Sequence, residues 1–339
     1  MKRPIQMCVY KSRQTQRGLS LIELMVAITI GLIILAALSI LFINQTNIRN
    51  ELDKSNRMID NGRYALELLS ENIRLAGFYD NYAPSGAATA VPQPCSLTAI
   101  TNPASNINVL LHHVQGYNAA TASSAIAGPP CGITSLKNGS DILVLRRVGT
   151  SIILASAAVA ATAYFQVANC KNDAPPGYKL ARGSAGFTAL HKRNCTTASD
   201  LRLFVEQTYF VSPDNIAGDG IPTLKRIELA PSGAFVTTPL VEGIEFMQVE
   251  YGEDTDSDGV ANSYIDCSAC DHTNWPNIVS IKVYIIARNI ETTRTYTDTK
   301  TYSLGQAGTY TPASADHYKR HAYTQVIRLV NPSSRRETP

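Results

Sequence analysis

Residues 17–43 read RGLSLIELMVAITIGLIILAALSILFI, and this run decides what kind of chain follows from it. From Leu24 to Ile43 twenty residues pass without a charged side chain, the length a helix needs to cross ~30 Å of hydrocarbon. A membrane span over about 24–43 is expected. A cleaved secretory signal has a shorter apolar stretch of roughly 7–15 residues followed by a small-residue site. Here the run is too long for that, and no such site follows it.

The flanks set orientation. Residues 1–18 carry Lys2, Arg3, Lys11, Arg13 and Arg17 and no acid, so the positive-inside rule places the N-terminus in the cytoplasm. The expectation is a single pass through an inner membrane, with everything after about residue 44 in the periplasm. The formal net charge of the whole chain is +3, but those five cations exceed it. The remainder is net acidic and gives no support to nucleic-acid binding. Downstream, NQTNIRNELDKSNRMIDNGRYALELLSENIRLAGF spaces Ile48, Leu52, Ile59, Ala65, Leu66, Leu69, Ile73 and Leu75 along one helical stripe without a proline. Span and stripe read as one helix from about Leu19 to Ala76, roughly 85 Å long at ~1.5 Å per residue, with Gly77 as C-cap.

One acid, Glu23, stands at the start of the apolar run. A carboxylate there costs several kcal/mol unless it is paired, although the first turn of a helix favours an acid through the dipole. The residues before it, Arg17-Gly18-Leu19-Ser20-Leu21-Ile22-Glu23, resemble the hallmark of the type IV pilin and pseudopilin family. That family has a basic leader ending in glycine, and a glutamate fifth in the mature chain. The resemblance implies cleavage by prepilin peptidase between Gly18 and Leu19, N-methylation of Leu19, and pairing of Glu23 with the positive terminus of a neighbouring subunit. Two charges that are each costly in hydrocarbon relieve one another by such pairing. The domain division expected is leader 1–18, helix 19–77 and body 78–339. Major pilins usually carry a proline near the position of Ile40; its absence and the large body point to a minor pilin or pseudopilin.

With 339 residues and 45% apolar content the chain can bury a sizeable core. Residues 78–140 are rich in Ala, Ser, Asn, Pro and Gly and read as long loops. Strand-like runs then recur: ILVLRRV (142–148), TAYFQVA (162–168), LRLFVEQTYFV (201–211), LKRIELA (224–230), GIEFMQVEYG (243–252), IVSIKVYIIAR (278–288) and YTQVIRLV (323–330). The fold class expected is α+β, pilin-like: a long N-terminal helix, transmembrane in its first half, packed on a mainly antiparallel β-sheet body. The stretches NGRYALELLSENIRLAGFY, EDTDSDGV, WPNIVSIKV and YTQVIRLVN together resemble the larger minor pilins of the PilW type. That resemblance implies partners: other minor pilins, the major pilin, a tip adhesin and the inner-membrane assembly platform. It also implies a role in initiating pili for twitching, adhesion and DNA uptake. A type II secretion pseudopilin and a membrane-tethered calcium-dependent adhesin are the competing readings.

Seven cysteines are present, Cys8 within the leader and six beyond the span, an even number suited to disulfides in an oxidising compartment. The short separations favour Cys95–Cys131, Cys170–Cys195 and Cys267–Cys270, among fifteen pairings open to six cysteines. Cys267-Ser-Ala-Cys270-Asp271-His272 departs from haem attachment by the intervening Asp271. Zinc would need further ligands such as His191 and Cys195, and a thioredoxin-like site lacks its βαβ context. Asp254, Asp256, Asp258, Gly259, Val260 and Asn262 follow the calcium-loop spacing, but the twelfth position is Ile265 and the nearest acid is Asp266. A structural calcium and a plain acidic turn are both open on that spacing, and no cofactor is required. His112-His113, Lys319-Arg320-His321 and Arg335-Arg336 are expected at the surface, and the tail NPSSRRETP frayed. No nucleophile with a base and no phosphate- or dinucleotide-binding motif is found, so an enzyme is not expected.

Overall fold

A computed structural model describes residues 18–103, 105–183, 186–293, 295–313 and 316–337. The leader residues 1–17, Cys8 among them, lie outside these. The first element is helix α1, Leu21–Leu75, a single α-helix of 55 residues. The chain divides into two compact units, residues 1–53 and 54–339, so the division falls within α1. In the first unit the apolar run from Leu21 to Ile43 is exposed throughout, with no buried position, the surface that hydrocarbon accepts and water does not.

In the second unit the character of α1 changes. The buried stripe is Met58, Gly62, Ala65, Leu66, Leu69, Ser70 and Ile73, positions three and four apart on one helical face. It begins only at Met58; Ile48 and Leu52, expected on the same stripe, are exposed. Gly77, at φ +72°, turns the chain out of the helix in the left-handed conformation that glycine adopts without cost.

Helices α2 (Leu97–Thr101) and α3 (Asn106–Leu111) follow, then strands β1 (Val114–Tyr117), β2 (Ile142–Val148), β3 (Ala163–Val167), β4 (Tyr178–Arg182), β5 (Leu201–Ser212), β6 (Thr223–Leu229) and β7 (Phe235–Glu242). These seven form one antiparallel sheet in the order β1-β2-β5-β3-β4, with β6 on β5 and β7 on β6. A second sheet, ordered β13-β10-β8-β9, is built from β8 (Ile244–Glu253), β9 (Ser263–Ile265), β10 (Ile278–Arg288) and β13 (Arg320–Arg328), with a small hairpin of β11 (Tyr302–Ser303) and β12 (Thr309–Tyr310) between. The largest core joins the α1 stripe to inward residues of both sheets: Leu143, Tyr209 and Val211 from one, Met247, Ile281 and Ile285 from the other. A second core packs Ile100, Val109 and Leu110 of the short helices against Tyr79, Phe165 and Phe204.

The tail, expected to be frayed, is ordered in its described part, and residues 338–339 lie outside it. Residues Val330–Arg336 form helix α4, with Pro332 early in it, where a missing N–H costs no helical bond. Pro332 lies against Gly77. Asn331 Nδ2 donates to the carbonyls of Arg74 (3.4 Å) and Ala76 (3.3 Å), and Arg335 Nη2 to that of Gly77 (2.7 Å). The carbonyls of Arg74 and Ala76 belong to the helix end, where groups are left without partners, and a cation at Gly77 also suits the negative end of the α1 dipole.

Candidate functional site

At the N-terminal end of α1, Ser20 N–H donates to Glu23 Oε2 at 2.8 Å. Ser20-Leu21-Ile22-Glu23 has the S-x-x-E spacing of a capping box, a signal legible in the sequence that the argument from hydrocarbon cost passed over. Gly18 and Leu19 precede the helix, are exposed and make no regular structure. The carboxylate of Glu23 stands one turn into an apolar helix with only its own backbone as partner among the described residues.

The body is held together by buried polar anchors, Arg320 among them, which was expected at the surface. Arg146, fully buried, donates to Glu206 Oε2 (2.6 Å), His112 O (2.9 Å) and Gln115 Oε1 (3.1 Å). The other oxygen of Glu206 accepts the N–H of Cys95 at 2.7 Å, tying a disulfide loop to the sheet. Arg320 is likewise buried, ringed by Glu245 (2.5 Å), Asp298 (3.5 Å) and Asp316 (2.5 Å). The basic cluster 319–321 is therefore no free cationic patch, because its central charge is neutralised inside. Arg336 is drawn to Asp254 Oδ2 at 3.2 Å and Arg335 to α1, so the second basic cluster is also occupied. The adjacent histidines are inside the molecule as well. His112 Nδ1 lies 2.7 Å from Asn108 O and His113 Nε2 2.8 Å from Ile278 O. Burial pushes their pKa values down to about 4 and about 3, because an imidazolium loses its hydration there.

The structure joins Cys95 to Cys131, Cys170 to Cys195 and Cys267 to Cys270. The zinc set is thereby removed: Cys195 is bonded, and His191 pairs with Asp173 at 2.8 Å. In the acidic loop, carboxylate oxygens of Asp254, Asp256 and Asp258 come within 4.8 Å of one another. Asp254 also accepts the N–H groups of Ser257 (2.7 Å) and Gly259 (3.0 Å), and Asn262 Nδ2 reaches Asp256 at 3.1 Å. Asp266 is elsewhere, bonded to Asn118 Nδ2 at 2.9 Å and to Ser268, so it does not close the loop. The N–H of Val260 is taken by Asp258 at 2.7 Å.

Comparison with known families bears on what this arrangement is for. Residues 208–331, from β5 to α4, match the family described as Type IV Pilus-assembly protein W. Residues 13–39 match the Prokaryotic N-terminal methylation motif. The chain is type IV pilin-like, of the PilW pattern. No curated protein matches it. The two matches fall on different parts of the molecule: the motif covers Gly18, Leu19 and Glu23, and the PilW region covers the whole second sheet with the acidic loop. A prepilin-type N-terminus on a PilW-type body is a minor type IV pilin with a role in pilus assembly, membrane-associated through α1. Both families are structural assembly proteins.

Proposed function

We propose that this minor pilin is cut between Gly18 and Leu19, N-methylated on Leu19, and drawn from the inner membrane into the start of a filament together with other minor pilins and a tip adhesin. The observation that carries this is the position of Glu23, in the first turn of a helix whose apolar run, Leu21 to Ile43, is exposed throughout, and shortly after the exposed residues Gly18 and Leu19. In hydrocarbon the carboxylate has its own capping contact and one further need, a cation. The α-ammonium of a neighbour's Leu19 meets that need and sets the axial register of the two helices. The body faces the periplasm, where the three disulfides persist. The PilW-type match supports a pilus over a type II secretion complex.

The acidic loop is proposed to take one calcium ion in a structural role, through Asp254, Asp256 and Asp258. Three converging carboxylates and the glycine-containing turn support it; Asp266 is outside the set. The assembly reading is tested by Glu23→Ala in the native host. The variant is expected to reach the membrane and lose its leader, yet appear in sheared filaments at a small fraction of the wild-type amount. Equal incorporation would contradict the register contact and favour a helix that is only a tether.

A further inference from the structure

In an antiparallel pair, alternate residues direct both backbone groups to one neighbour, and the residues between them direct theirs to the opposite side. Along β13 the odd-numbered residues face β10. Leu329 N–H donates to Val279 O at 2.9 Å and Asn289 N–H to Lys319 O at 3.0 Å, and the register runs unshifted from Ser280↔Arg328 to Arg288↔Arg320. The N–H and C=O groups of Ala322, Thr324 and Val326 therefore point away from the sheet, on a side where β13 pairs with no strand among the described residues. The side chains of these three residues are exposed as well.

Other edges are short or interrupted, as soluble sheets require. β7 carries Pro239, and its pairing with β6 shifts register after Leu224; β1, β4 and β9 have four, five and three residues. β13 has nine, and from Ala322 to Ile327 it has neither proline, charge nor bulge. Beside it runs a groove of about 470 Å³ between the strand and α1, lined by Leu66, Glu67, Ser70 and Arg74 opposite Tyr323 and Gln325. Strand and helix run in the same direction: Tyr323 Oη donates to Ile59 O at 3.1 Å, and Asn331 reaches Arg74 and Ala76.

We propose that this edge accepts one extended strand from a different pilin-like subunit, bonded to the backbone of Ala322, Thr324 and Val326. The inference rests on the assembly role proposed above. Alternate side chains of the incoming strand enter the groove, where an apolar residue meets Leu66 and hydrogen-bonding residues meet Glu67, Ser70 and Arg74. Those between lie on the outer face, where β-branched residues suit Thr324 and Val326. A second copy of this chain fits less well. Antiparallel pairing in full register sets Arg320 against Arg328 twice. It also runs the two α1 segments, from Lys54 on, in opposite directions, whereas chains anchored in one membrane by that helix run the same way.

A photo-crosslinking amino acid placed at Val326 of the full-length chain in its native host tests this, with exposed Val236 in β7 as control position. The expected result is an adduct at Val326, absent at Val236, that maps by mass spectrometry to a strand of another subunit bearing a prepilin-type leader. Thr324→Pro should abolish that adduct, because it removes an outward N–H and blocks the edge while sparing the β10 ladder. Retained slow amide exchange at Ile281 and Val283 verifies that the variant folds, and if it does not, Val326→Pro serves in its place. Adducts to another copy, to proteins without the leader, or none at all would overturn the proposal, as would a yield unchanged by the proline. The mature mass from the same cells separates the two readings: an uncut chain counts against assembly, a cut chain without the adduct against strand docking alone.

Discussion

Gly62 of α1 packs against the ring of Tyr323 in the second sheet, so the sign of a substitution there depends on that neighbour. A Cβ added there falls 2.7 Å from Cζ of Tyr323, well inside van der Waals contact, and the ring is fixed by its bond to Ile59 O and its edge contact with His321, 4.7 Å between centroids. Gly62→Ala gains about 1 kcal/mol of helix propensity but pays overpacking of about 1–3 kcal/mol. The balance is a loss near 1 kcal/mol. With Tyr323→Ala the obstruction is gone, and the same substitution should stabilise by up to about 1 kcal/mol. The coupling of about 2 kcal/mol is in the range of contacting pairs. Thermal melts of the full-length chain in detergent read it, at roughly 2–4 °C per kcal/mol. Equal effects of Gly62→Ala in both backgrounds would refute the argument that Tyr323 closes the helix onto the sheet.

Three further perturbations follow from the same geometry. Arg320→Met leaves Glu245, Asp298 and Asp316 facing one another without their cation, and chemical denaturation should show a loss of about 3–5 kcal/mol. His113 is neutral in the fold, with its pKa pushed down to about 3 against about 6.5 unfolded. Stability contributed by that neutrality is complete above pH ~6.5 and is lost as pH falls toward about 3. The margin of wild type over His113→Gln should therefore shrink on acidification, whereas burial of Asp141, which raises its pKa to about 8, makes wild type lose ground to Asp141→Asn as pH rises toward 8; slopes of reversed sign would refute both assignments. Calcium at about 1 mM, the affinity range of extracellular modules, should raise the melting temperature by a few degrees, and Asp256→Asn with Asp258→Asn should remove the effect; no shift in wild type would leave the loop a plain acidic turn.

The strongly periodic parts of this molecule were legible in its sequence. Seven strands carry enough alternation or apolar density to be read directly, and the long helix needed only its hydropathy and the absence of proline. What escaped lacks local contrast. β7 is half exposed and holds Pro239, β4 and β9 are too short to show a period, and α2 and α3 sit in a stretch whose Ala, Ser and Asn content suggests loops. α4 was hidden by a proline that a helix tolerates near its start. The buried charges were illegible for a different reason. Arg320 is inside because Glu245 and Asp298, 75 and 22 residues away, converge on it beside the neighbouring Asp316, and His113 is inside with an acceptor from Ile278, 165 residues away. Local polarity cannot report partners that the fold assembles. At the candidate site, the Gly18 to Glu23 pattern was readable because it is contiguous, whereas the departure of Asp266 from the acidic loop depends on Asn118, which follows a strand of the other sheet.

Processing at Gly18-Leu19 is read directly from the intact mass and N-terminal residue of the protein purified from native membranes, with prepilin peptidase active and inactive. The expected chain begins at N-methyl-Leu19 in the first case and keeps residues 1–18 in the second. A Met1 start in both strains, or a cut beyond the apolar run, would contradict it and reduce α1 to an ordinary anchor or export signal.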